Sequence, residues 1–155
     1  MKRDAAIPLP DHAYIPGETT RHASGAFDVF HDSVLPGSSA KELTETIAWR
    51  AGLLFLQKGY FWEAHEVLEP VWMALPDDDP DRQLVQALIQ YANAGLKRRM
   101  NRPKAAQRLA VLASAHFRAA RAGCRWAALL QIWPDVEQAL DAIVSANPRP
   151  QTGVQ

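Results

Sequence analysis

At 155 residues the chain has the length of a single domain, and its 48% hydrophobic and 22% charged content excludes a disordered or fibrous class. The one cysteine, Cys124, excludes an internal disulfide, and no run approaches the ~20 apolar residues of a membrane span, so a cytoplasmic protein with no membrane partner is expected. The formal charge is zero, which argues against a dedicated nucleic-acid binder, but residues 1–81 hold 14 acids and 6 bases while residues 82–134 hold 10 bases and no acid.

Residues 1–10 begin basic but lack the apolar core of a secretory leader. Across residues 1–38, Pro8, Pro10, Pro16 and Pro36 together with Gly17, Gly25 and Gly37 disfavour a long helix. The segment reads as an extended arm that packs on the body through Tyr14, Ile15, Phe27, Val29 and Phe30, with room for a short helical turn at 26–32. Its histidines, His12, His22 and His31, read as surface residues, although Arg21 and His22 can fold over the body.

The helical domain is expected over residues 39–147. Ser39 and Glu42 form a capping box, Leu43, Ile47, Ala51, Leu54 and Phe55 recur at helical spacing, and Gly59 supplies a left-handed stop. A second helix is expected over 60–74, bent at Pro70, which cannot donate to the carbonyl of Glu66. A third opens after Asp77, Asp78 and Asp79 with Pro80 in its first turn and runs to about 99. Asn101, Arg102 and Pro103 turn the chain into a fourth, ending near 122. Trp133, Pro134 and Asp135 open a last helix to about 146, and residues 148–155 form a polar, flexible tail. With no strand-period segment, the predicted class is all-α: a compact bundle of about five helices with an extended N-terminal arm. Cys124 has no Cys or His near it in sequence and reads as a packing residue.

The second helix carries the residues that can do chemistry. At 100° per residue, Trp62, His65, Glu69 and Trp72 fall within about 80° of one another, with Glu66 at the edge and Glu63 further round, near Val67. An imidazole and a carboxylate among tryptophans and aliphatics need a partner, because burying a lone carboxylate costs several kcal/mol or raises its pKa. His65 and Glu69, at i and i+4, and Glu66 and Glu69, at i and i+3, can converge on one ion or proton. The string resembles the H-E-x-x-H of zinc proteases, but its last position is Glu69. His65 and Glu69 are therefore incomplete metal candidates, and any cofactor, a divalent metal included, is left open. On the third helix Gln86, Gln90, Asn93 and Lys97 form a stripe that reads either as a solvated face or as a set of amides turned toward the second helix. His116 reads as a core or boundary histidine. Lys97, Arg98, Arg99, Arg102, Lys104 and Arg108 cluster at the turn between the third and fourth helices, without the aromatic interleaving of single-strand binders.

The string Gly59-Tyr60-Phe61-Trp62-Glu63-Ala64-His65-Glu66-Val67-Leu68-Glu69, followed by Trp72, resembles the signature of the domain-of-unknown-function 309 family, small all-helical proteins of bacteria and archaea. That pattern is a Gly, two aromatics, then E-A-H-E-x-L-E-x-x-W. Its following helix reads Q-G-L-I-Q, where this chain has Gln86-Ala87-Leu88-Ile89-Gln90 with Ala87 in place of Gly. The resemblance covers roughly residues 50–110. It implies the helical fold and a polar hallmark of Glu63, His65, Glu66, Glu69, Trp72, Gln86 and Gln90, with the two glutamines facing inward; it implies no activity.

Three readings follow. In the first, the His/Glu/Gln cluster is an inward-facing structural network that fixes helix register or specifies a homo-oligomer. In the second it is a metal or small-molecule site in which His65, Glu66 and Glu69 do hydrolase-type acid/base work and Trp62, Glu63, Trp72, Gln86 and Gln90 line the ligand. In the third the protein is a scaffold or nucleic-acid binder acting through the basic turn.

Overall fold

Thr46 decides how the first long helical pattern is cut. In the computed structural model of the chain, its φ of −70° and ψ of 151° end one helix, α2 (Ala40–Glu45), and begin another, α3 (Ile47–Lys58). Its hydroxyl donates to the Leu43 carbonyl at 2.7 Å and accepts the Trp49 N–H at 3.2 Å. The single helix expected over 39–58 is therefore two, because a threonine that serves both ends offsets the break. The Ser39–Glu42 capping box is present, and the Ser39 N–H and hydroxyl hold the Glu42 carboxyl below its ordinary pKa.

The structure describes residues 6–121, 123 and 127–146; Cys124, the residues before 6 and the tail 148–155 lie outside them. The fold is all-α, and no strand occurs among the described residues. Two helices are short, α1 (Asp28–Asp32) and α2. Five are long: α3, α4 (Phe61–Ala74), α5 (Pro80–Arg99), α6 (Pro103–Arg121) and α7 (Ala127–Ser145). The last begins six residues before the expected Trp133, so Pro134 sits inside it and not in its first turn. The chain divides into two units, Met1–Ala74 and Leu75–Gln155, so the arm belongs to the first and the helical body is shared between them.

In the first unit α3 and α4 are joined at Gly59, whose φ of 82° ends α3 without the Cβ penalty another residue would meet. The two helices approach closely at Gly52: a Cβ there would stand 2.6 Å from Cγ of Leu68, itself fully buried. Phe27, Phe30, Leu43, Trp49, Phe55 and Val71 are also buried, with Phe30 edge-on to Phe55 at 5.9 Å. Val29, expected to pack, is exposed instead, because the single turn of α1 turns Phe30 inward.

In the second unit Asp79 caps α5 through the Asp81 N–H, and Pro80 occupies its first position. The α5–α6 turn passes through Asn101 at φ 58°. Ala106, Ala110, Ala113, Phe117 and Ala120 are buried along one face of α6, which packs on α5 and α7. Phe117 stacks on Trp133 of α7 at 3.6 Å.

Candidate functional site: a buried carboxylate beneath the arm

Helix α4 buries the face made by Ala64, Val67, Leu68 and Val71, and Glu63 lies on that face, one turn before Val67. Its side chain is 0% exposed. One carboxylate oxygen, Oε2, accepts the backbone N–H of Tyr14 at 2.7 Å and pairs with Nε2 of His22 at 2.6 Å. Both partners come from the arm. The His22 ring stacks on His12 at 4.6 Å and meets Phe27 edge-on at 5.1 Å. Tyr14 lies edge-on to Trp62 at 5.2 Å, and Phe27 meets Trp62 at 5.8 Å. Trp62, next to Glu63 on α4, is thus the aromatic floor on which the arm lies, and the carboxylate is the polar anchor beneath it. A buried carboxylate is tolerated only where donors replace its water, and here a backbone amide and an imidazole do so. Among the described residues the other oxygen, Oε1, is buried with no hydrogen-bond partner.

The residues expected at the centre of the polar cluster occupy a different position. His65 is 32% exposed and Glu69 49%, with His65 Nε2 lying 3.3 Å from Glu69 Oε2, so the i,i+4 pair forms at the surface. Glu66 is 32% exposed. A buried His/Glu network is present, but its members are Glu63 and His22; His65, Glu66 and Glu69 face outward. The physical reason is that alanine and aliphatic residues, not the tryptophans, mark the inward face of α4: Trp62 and Trp72 are only half-buried. Among the described residues no group of three or more His, Cys, Asp or Glu side chains is placed to hold a metal ion.

His31 is a second arm residue that reads as surface from its sequence context. Its Nε2 donates to the Glu66 carbonyl at 2.9 Å. That carbonyl is the one Pro70 leaves without its helical donor, so an imidazole N–H replaces the missing backbone N–H. His31, Glu66, Glu69, Pro70 and Met73 line a groove of about 430 Å³. In the second unit Gln86 and Gln90 are half-buried on α5, and Gln90 Oε1 accepts from Asn93 Nδ2 at 3.4 Å. His116 is half-buried as expected; its Nδ1 donates to Gln83 Oε1 at 2.7 Å, and burial holds its pKa below the ordinary imidazole value. Asp81, in the first turn of α5, is a second fully buried acid that sequence reasoning missed.

These features define an all-helical protein whose α4 carries a buried glutamate clasped by an N-terminal arm. Residues 49–109 match the profile of a family described as Domain of unknown function (DUF309), the family that the α4 motif resembles. No curated protein and no solved structure shows significant similarity to the chain.

Proposed function

We propose that the polar network of α4 is structural: Glu63 is a latch that holds the N-terminal arm on the helical body. The observation that carries this is the convergence of Tyr14 N–H and His22 Nε2 on one oxygen of a fully buried carboxylate. Arm residues 49 and 41 positions before Glu63 are tied at one atom, a contact whose loss leaves buried donors unpaired. A cytoplasmic setting fits a chain with one cysteine. Among the described residues no helix is long and apolar enough to cross a membrane.

Trypsin tests the latch directly, because Arg21 is exposed and adjoins His22. The wild-type arm should resist cleavage at Arg21 under conditions where Glu63→Ala is cut there while its helical body survives. Equal rates of cleavage in the two proteins would refute a latch.

A further inference from the structure

Each unit presents one exposed face in which apolar and charged residues alternate, and the two faces carry opposite charge. On α6, Lys104, Arg108, Val111, Ala115 and Arg118 follow one another at spacings of four, three, four and three, which makes a continuous stripe along the helix. All five are exposed, and the stripe lies opposite the buried alanine face. Val111 is 51% exposed and Leu112 beside it 43%. Among the described residues Lys104, Arg108 and Arg118 make no ion pair. Residues 82–134 contain no acid, so nothing along α6 itself neutralises them. On α4, Glu66, Glu69 and Met73 follow one another at spacings of three and four along the groove, and Met73 is 65% exposed at its end.

We infer that α6 of one copy docks into the α4 groove of a second copy. Lys104 and Arg108 meet Glu66 and Glu69, and Val111 and Leu112 cover Met73 and Pro70. Charge complementarity selects this occupant: the first unit has 10 acids against 6 bases and the second 7 acids against 11 bases. Pairing α6 with α6 across a two-fold would set Arg108 and Arg118 near like charges, which opposes association. Nucleic acid fits the face less well, since its centre is aliphatic and no aromatic side chain is exposed there for a base to stack on. The contact joins two different faces and is therefore heterologous. One helix in one groove buries less than the ~800 Å² per partner of a standard interface, so the association is weak and salt-sensitive. None of these residues belongs to the Glu63 latch.

Sedimentation of the full chain over a concentration series decides the matter. At low ionic strength the mean mass should rise with concentration, and at about 1 M salt, where the Debye length falls to about 3 Å, it should return to the monomer. The variants R108E/R118E and E66K/E69K should each stay monomeric, and an equimolar mixture of the two should associate, because each keeps the face the other lacks. Val111→Glu gives a second monomeric variant on the α6 face, with circular dichroism confirming that every variant folds. A wild type that is monomeric at every concentration, variants that associate as wild type does, or a mixture that stays monomeric would each overturn the inference. So would a monomer whose Arg108 and Arg118 bind duplex nucleic acid.

Discussion

Truncating Glu63 to alanine should be among the most damaging single changes in the first unit. The carboxylate holds two donors, the Tyr14 amide at 2.7 Å and His22 Nε2 at 2.6 Å, and its side chain is wholly buried. Hydrogen bonds to a charged group contribute ~1.5–3 kcal/mol each, and a buried donor left unpaired costs ~1–3 kcal/mol. His22 can swing toward water once released, since its side chain is 10% exposed, whereas the Tyr14 amide is fixed in the chain. Oε1, which has no partner among the described residues, works in the opposite direction, because removing it relieves a desolvation cost. A net loss of about 3 kcal/mol follows. In a domain of this size that lowers the melting temperature by ~6–12 °C. Urea denaturation followed by circular dichroism gives the figure, and a cycle with His22→Ala isolates the pair, for which a coupling of ~1–2 kcal/mol is expected. A Glu63→Ala protein within about 0.5 kcal/mol of wild type, the scatter of ordinary surface changes, would refute the reasoning.

Further predictions concern the supports around this anchor. Gly52→Ala should destabilise by ~1–3 kcal/mol, the cost of overpacking against Leu68, even though alanine is the better helix former; a stabilised variant in thermal melts would contradict the close approach of α3 and α4. His31→Ala should cost about 1 kcal/mol, and that cost should shrink in a Pro70→Ala background, where a backbone N–H is restored to the Glu66 carbonyl; equal costs in the two backgrounds would remove His31 from the role of replacement donor. Thr46→Val should lose ~1 kcal/mol through the missing cap of α3, as read from denaturant midpoints. Burial lowers the folded pKa of His116, so the unfolded chain binds more protons as the pH falls below the ordinary imidazole value of about 6.5. Stability from this residue is present above that value and lost as the pH falls through the folded pKa; His116→Gln should flatten this part of the stability–pH profile, and an unchanged profile would exclude it.

Much of the fold could be read from local chemistry. The Ser39–Glu42 box, the Gly59 stop and the Asp79–Pro80 start each depend on atoms within a few residues, and each is found where its pattern stands. Thr46 and Pro134 were harder. A threonine inside an apolar repeat and a proline ahead of an acid are each compatible with two geometries, and packing chose between them. The site was legible only in part. The α4 motif points to the right helix, but a wheel centred on its tryptophans misplaces the inward face, since Trp62 and Trp72 lie at the boundary while alanine and aliphatic residues mark the interior. Such a wheel sets Glu63, one turn from Val67, to the side although it is the buried acid. Its partners Tyr14 and His22 stand 49 and 41 residues away, and no periodicity connects an irregular arm to a helix over such a distance. The pairing of Arg21 with His22 in a proline-punctuated arm was the one available hint.

The most direct test of the latch is the hydrogen exchange of a single amide, the N–H of Tyr14. In an irregular segment this amide has no helical partner, and its protection depends on the Glu63 carboxylate. The account predicts slow exchange in the wild type and exchange at the rate of an open loop in Glu63→Ala, with the amides of α5 and α6 unaffected. Rapid exchange of the Tyr14 amide in the wild-type protein, or equal protection in both proteins, would contradict it.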